Sequence, residues 1–399
     1  MPTEADPATP WRVFVTFLRL GLTSFGGPTA HLGYFRDELV RRRGWVDDAT
    51  YADLLALCQA LPGPASSQLG IALGTLRAGR AGGLAAWLGF TLPSAALMAL
   101  AALGLAALPA DASRMLHGLE IVALVVVTSA VWGMARSLTP DVPRGSLAVL
   151  SAAALLLWPG PWTQLVVLGL AAALGRWLPG DAVPDAGPAL VPGDRRQGLA
   201  LLVLAGLLLL AALAAPLLWP AGSLPAIGAA TVRAGALVFG GGHVVLPLLQ
   251  ESFVAPGMLD RATFVAGYGL AQALPGPLFS LAAYLGAAAL PGPLAGWGAL
   301  VALCGIFAPG YLLVTGALPF WQQLRRHAAT RAALRGVNAA VVGLLLATWY
   351  QPVWLGAIRG PGDLALALIG LAALSWWRVP AWALVLAAIA AGVVAGLAG

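Results

Sequence analysis

Long apolar runs alternate with short polar interruptions along the whole chain. Gly82 to Leu108, Gly118 to Trp132, Gly198 to Trp219, Leu294 to Phe320 and Ala381 to Gly399 approach or exceed the roughly 20 residues that cross a bilayer as helix. The runs are rich in Ala and Leu and lack strand alternation, so helices rather than a barrel are expected to satisfy the backbone in lipid. The pattern predicts an all-α polytopic membrane protein. Composition agrees, because 60% apolar and 10% charged residues leave too little charge to cover a water-soluble surface.

The same pattern occurs twice. RLGLTSFGGPTAH at Arg19 to His31 recurs as RAGALVFGGGHVV at Arg233 to Val245. Downstream, GWVDDATYADLLALCQALPGP ending at Pro64 matches GMLDRATFVAGYGLAQALPGP ending at Pro277. Weaker echoes pair Pro93 with Pro309 and Gly118 with Gly336. Repeats of this length divide the chain into repeat 1 (1–180), a linker loop and connecting helix (181–222) and repeat 2 (223–399). With about six hydrophobic elements per half and one connecting helix, parity predicts that one half is inverted relative to the other.

Charge refines the topology. The net charge of +6 comes from arginine alone, which points to membrane orientation and anions before nucleic acid. If every element crossed fully, Arg41, Arg42 and Arg43 would fall on the wrong side. If the GG and PGP elements are broken or re-entrant, Arg12, Arg36, Arg41 to Arg43, Arg77 and Arg80 all become cytoplasmic. The expectation is four broken elements, two per half, with the N-terminus cytoplasmic and the C-terminus external. The N-terminal MPTEADPATPW lacks a basic leader region and reads as a short soluble tail. Cys58 and Cys304 lie in separate apolar helices and suggest neither a disulfide nor a metal site.

The motifs that interrupt helix carry the candidate chemistry. Ser24, Gly26, Gly27 and Pro28, with Gly240, Gly241, Gly242 and His243 in the second half, break helix because Gly costs about 1 kcal/mol and Pro about 3 in a helix interior. Such a break exposes positive helix ends that hold anions; a kink or a close helix crossing is the plainer alternative. Arg19 and Arg233 occupy one repeat position inside apolar segments and could clamp a dianion or snorkel to an interface. Pro62, Gly63 and Pro64 match Pro275, Gly276 and Pro277 and must also break helix. Their free carbonyls line a substrate path with Gln59, Gln272, Ser66, Ser67 and Ser280, or form hairpin tips.

Asp53, Glu120 and Glu251 are candidates for carrying a coupling ion. Asp53 and Glu120 have Ala266 and Asn338 opposite them in the repeat, and Asp37 corresponds to Glu251. Salt bridging to a neighbouring arginine is the simpler role for Asp37, and helix capping for Asp47 and Asp260. His243 could donate to a substrate or sense pH, although a lone histidine is more often packed. The Arg325, Arg326, Arg331 and Arg335 cluster reads as an orientation signal. Nucleotide-binding, hydrolase and metal motifs do not occur, so an enzyme or a bound cofactor is not expected.

FLRLGLTSFGGPTAHLGYFRDELV, WVDDATYADLLALCQALPGPASSQLGIALG and FGGGHVVLPLLQE with QALPGPLFS together resemble the two-domain chromate transporter family. That resemblance implies an inner-membrane protein that expels chromate using the proton-motive force and so confers chromate resistance, with sulfate as a competing analogue. It also implies halves of opposite orientation. A sulfate or other oxyanion transporter and a non-transporting membrane sensor are the alternatives, and a homodimer is compatible with either.

Overall fold

A computed structural model of the chain describes residues 9–25, 27–106, 113–158, 161–180, 194–238, 245–290, 292–321 and 327–397. Every regular element among them is helical. The first half runs α1 (Pro10–Thr23), α2 (Gly27–Phe35), a π-type turn (Arg36–Arg42), α3 (Asp48–Ala60), α4 (Ala65–Ala106), α5 (Ser113–Leu138), α6 (Val142–Leu157) and α7 (Pro161–Leu174). After the connecting α8 (Arg195–Leu218) come α9 (Leu224–Leu237), α10 (Val245–Phe253), α11 (Arg261–Ala271), α12 (Leu281–Ala289), α13 (Ala295–Ala317), α14 (Ala328–Thr348), α15 (Pro361–Ser375) and α16 (Ala381–Leu397). The halves match element for element once α4 is divided at Ala78 and Gly79, whose backbone angles are not helical.

That division turns a 40-residue apolar stretch, Ala65–Gly104, into a hairpin rather than one span. Gly74 faces the Gly82 carbonyl across it, and in the second half Gly286 faces the Gly298 carbonyl. A Cβ at any of these positions would overlap the opposite backbone, which is why small residues recur where membrane helices meet closely. The same device joins α1 to α4 through Gly21 and Gly89, and α9 to α13 through Gly235 and Gly305. Five helical segments among the described residues, the folded α4 included, have the length and hydropathy of membrane spans.

The broken elements fold back on themselves. Phe17 in α1 stacks edge-on with Phe35 at the end of α2, with centroids 5.4 Å apart, so α2 returns alongside α1. Arg77, before the α4 hairpin turn, lies over the Trp45 ring, which precedes α3, at 5.6 Å. The segment from α3 through the PGP loop into α4 therefore ends where it began. In the second half the Tyr284 hydroxyl of α12 donates to the Thr263 carbonyl of α11 at 3.0 Å, giving the same return. The six apolar stretches of each half thus yield eight helices, because two of them are broken.

The halves interlock. The hairpin of α6 and α7 packs on α14 of the other half, and the hairpin of α15 and α16 packs reciprocally on α5. The main apolar core draws on both halves, from Met98 and Leu124 to Tyr268, Phe307 and Leu344.

Candidate functional site

Local sequence dictates where the helices stop. At the end of α1 the chain turns extended at Ser24, whose N–H closes the last turn on the Leu20 carbonyl. At the end of α3 it turns extended at Leu61, because a residue preceding proline is pushed out of the helical region. Gly63 and Gly276 then take positive φ, 133° and 95°, where a side chain is strained.

The loops of one half meet the breaks of the other. The Gly63 N–H donates to the Val238 carbonyl at 2.7 Å, and the Gly276 N–H donates to the Ser24 carbonyl at 3.0 Å. Ser24 and Val238 occupy the same repeat position, as do Gly63 and Gly276, so the two bonds are reciprocal. Gly63 packs on Gly310 beside the intrahelical Pro309, and Gly276 packs on Ser94 beside the intrahelical Pro93. The four helix breaks thereby meet in pairs, at two equivalent junctions between the halves.

Polar groups collect there. Ser24, His31 and Gln68 are fully buried, and Ser67, Thr91 and Ser94 nearly so. The Ser24, Ser67 and Thr91 hydroxyls and the Gln272 amide nitrogen have no hydrogen-bond partner among the described residues, and the His31 ring has only the Ser24 backbone within reach. Buried polar groups are normally paired, so a cluster of unpaired ones marks a place built to receive hydrogen bonds. Gln68 does pair, donating to the Pro62 carbonyl at 2.8 Å and the Gly310 carbonyl at 3.4 Å.

A family model described as chromate transporter matches residues 11–176 and 225–393. The chain belongs to the chromate transporter family. It is 30% identical to the chromate transport protein of Pseudomonas aeruginosa, over 94% of this chain and 90% of that protein. It is 28% identical to the chromate transport protein of Cupriavidus metallidurans, over 89% and 84% respectively, and 28% identical to a probable chromate transport protein of Synechococcus elongatus, over 91% and 88%. No solved structure matches it.

In this family member, the sequence-predicted site residues fall into three environments. Ser24, Gly27, Pro28, Pro62, Gly63, Pro64, Gln272, Pro275, Gly276 and Pro277 lie at or beside the junctions, whereas Gln59 is exposed on α3. Gly26, Gly240, Gly241, Gly242 and His243 lie outside the described residues, as do Arg325 and Arg326. The two repeat arginines are not joined into a clamp. Arg19 is exposed on α1, while Arg233 donates to the Ala212 carbonyl of α8 at 2.7 Å. Arg233 also lines a cavity of about 370 Å³ with Glu251, Pro216 and Trp219.

The acids separate by role. Asp37 pairs with Arg41 at 3.1 Å, Glu38 with Arg43 at 2.8 Å and Arg36 with Asp48 at 2.7 Å, on an exposed surface. Asp47 and Asp260 cap α3 and α11 through Thr50 and Thr263, and the hydrogen bonds from Thr50 hold the Asp47 carboxyl below the usual carboxylate range. Asp53 is half-buried on α3. Glu120 is 4% exposed and belongs to a network joining the halves. It accepts from Arg359 at 2.8 Å and lies 3.2 Å from the His117 Nδ1, while the His117 Nε2 lies 2.9 Å from Asp363. Arg261 of α11 lies within electrostatic reach of Glu120.

Sequence reasoning missed His31, Gln68, Thr91 and Ser94, and the partners His117, Arg359 and Asp363. His31, Thr91 and Ser94 had a visible signal, since each is polar where the repeat places an apolar residue or glycine. His117 had the i, i+3 spacing to Glu120, whereas Arg359 and Asp363 had none, lying 239 positions from Glu120 and 246 from His117.

Proposed function

We propose that this protein exports chromate from the cytoplasm across the inner membrane by proton-motive-force-linked alternating access, and so confers chromate resistance, with sulfate as a competing analogue. The observation that carries this reading is the reciprocal pair of bonds from Gly63 to Val238 and from Gly276 to Ser24. Those bonds hold four helix breaks together in pairs between two interlocked halves, the arrangement in which inverted-repeat transporters bind substrate. The names of its relatives supply chromate as the substrate.

The connecting helix supports opposite orientation of the halves. At its start Gln197 accepts from Arg80, at the α4 hairpin turn, at 2.6 Å. At its end Pro216 and Trp219 share a cavity with Ser252, Ala255 and Pro256, which close the α9 and α10 hairpin. The 24 residues of α8 span about 36 Å, so the hairpins of the two halves open at ends separated by a bilayer thickness. The arginine-rich surface of residues 36–43, 77 and 80 then marks the cytoplasmic side. The N-terminus is cytoplasmic and the C-terminus external.

Transport follows from these parts. The dianion enters from the basic face and is held where the breaks meet by hydroxyl, imidazole, amide and helix-end donors. Glu120 and His117 take up the proton whose entry accompanies anion release. Rearrangement of the salt bridges between α5 and the Arg359 to Asp363 segment links that proton to the relative position of the halves. Glu251 and Asp53 are the remaining proton-carrier candidates.

Everted membrane vesicles containing the protein test the reading. Chromate should accumulate inside them when a proton gradient is imposed and should not when it is collapsed, and excess sulfate should slow the uptake. Accumulation of sulfate but not chromate would favour a sulfate transporter, and movement of neither would remove the proposal.

A further inference from the structure

The two junctions share one backbone plan but carry different chemistry. Where the break of the first half meets the PGP loop of the second, Gly276 is bonded to the Ser24 carbonyl and packs on Ser94 and the Phe90 carbonyl, with His31 set against the Phe90 ring and Thr91 adjacent to Phe90 in α4. In place of Ser24, His31, Thr91 and Ser94 the other junction has Val238, Val245, Phe307 and Gly310, all buried. The contacts establish the equivalence, since Gly276 packs on Ser94 and the Phe90 carbonyl as Gly63 packs on Gly310. The second junction is also filled from within, because the Gln68 amide donates to the Pro62 and Gly310 carbonyls. Leu281 occupies the position of Gln68 at the first junction and has no such donor.

We propose that the oxyanion binds off the axis relating the halves, at the first junction alone, with Ser24, His31 and Thr91 as its side-chain ligands. This inference rests on the oxyanion-transport reading and locates its site. The three side chains are at most 1% exposed; the Ser24 and Thr91 hydroxyls lack partners among the described residues, and the His31 ring reaches only the Ser24 backbone, which leaves a ring nitrogen for the anion. The His31 ring is set edge-on against Phe90 with centroids 5.1 Å apart, which ties it to the segment of α4 that touches Gly276. His31 has no carboxylate partner among the described residues, unlike His117. A group of donors without a carboxylate favours an anion over a cation. The start of α2 at Gly27, beside Ser24, adds a positive helix end to these ligands. At the second junction the valine and phenylalanine offer an anion no side-chain hydrogen bonds and the Gln68 amide is taken by backbone carbonyls, which leaves the Ser67 hydroxyl as the unpaired donor there, so binding midway between the junctions would give the dianion fewer hydrogen bonds than binding at the first.

Sites of this type discriminate by geometry. Tetrahedral dianions that accept several short hydrogen bonds fit it, whereas planar monoanions such as nitrate satisfy fewer donors.

Equilibrium binding of chromate and of sulfate to the purified full-length protein in nanodiscs tests the location. Ser24→Ala, Thr91→Val and His31→Gln should each weaken binding about tenfold, while Val238→Ala and Val245→Ala at the other junction should stay within about twofold of wild type. Chromatographic profile and melting temperature establish that each variant is folded. If His31→Gln does not fold, Ser24→Ala, which removes one oxygen, carries the test. Wild-type affinity in the folded Ser24 and Thr91 variants, or equal losses at Val238 and Val245, would overturn the off-axis site. Absence of binding by the wild type would overturn the transport reading itself.

Discussion

The Gly63 N–H donates to the Val238 carbonyl at 2.7 Å, tying the PGP loop of one half to the helix break of the other. Its repeat counterpart, Gly276 to Ser24 at 3.0 Å, makes the tie mutual. A rearrangement that separates the halves must break both bonds, and one that rocks them about this point can keep both.

Gly63→Ala and Gly276→Ala should both be destabilising. Their φ angles of 133° and 95° impose strain of about 1–3 kcal/mol on a residue with a Cβ. The added carbon would also press on Gly310 in one case and on Ser94 and the Phe90 carbonyl in the other. Thermal unfolding in detergent should show lowered midpoints for both, and unchanged midpoints would mean that the loops are not held as described.

Glycines at close crossings should resist substitution, and open ones should not. Gly235→Ala drives a Cβ into the Ile306 carbonyl, and Gly21→Ala brings one to 2.6 Å from the Phe90 carbonyl. Each should cost about 1–3 kcal/mol through overpacking. Gly206 and Gly169 have open space at the same position, so alanine there should be neutral or slightly stabilising in a helix. Melting temperatures of the four variants check the contrast.

Glu120→Gln should uncouple rather than abolish transport. The substitution keeps the shape of a 4% exposed side chain but removes the charge shared by His117 and Arg359. Proton-driven chromate accumulation in everted vesicles should fall about tenfold or more, while exchange of chromate across the membrane without a gradient persists. Equal loss of both would assign Glu120 to structure instead.

Single-cysteine labelling tests the orientation of the halves. After replacement of Cys58, which is buried, and Cys304, which is exposed, cysteines at residues 43 and 79 should react with a membrane-impermeant reagent only in everted vesicles. A cysteine at residue 257 should react only in intact cells. Labelling of all three from one side would rule out inverted halves.

Arg233→Gln should reduce chromate accumulation with little effect on chromate binding at equilibrium, because the guanidinium is held on the Ala212 carbonyl beside Glu251 and not among the unpaired donors. A tenfold weaker affinity would instead place Arg233 in the substrate site.

The sequence by itself determined the helical membrane class, the duplication and the positions of the breaks. These are local consequences: apolar runs need lipid, paired glycines next to proline weaken a helix, and Pro-Gly-Pro cannot continue one. It also marked Glu120 as an acid with no duplicate. Tertiary structure alone decided which breaks meet, because the partners of Gly63 and Gly276 lie in the opposite half and no local preference selects them. It also decided that Arg19 and Arg233 share a repeat position without sharing a site. A helical residue's direction is set by the helix's rotation against its neighbours, and Gly235 against Ile306 sets that rotation for α9. His31 and Glu120 illustrate the same rule with opposite outcomes. Packing leaves the buried imidazole of His31 without a side-chain partner among the described residues, whereas it gives Glu120 a histidine three residues away on its own helix and an arginine 239 positions distant.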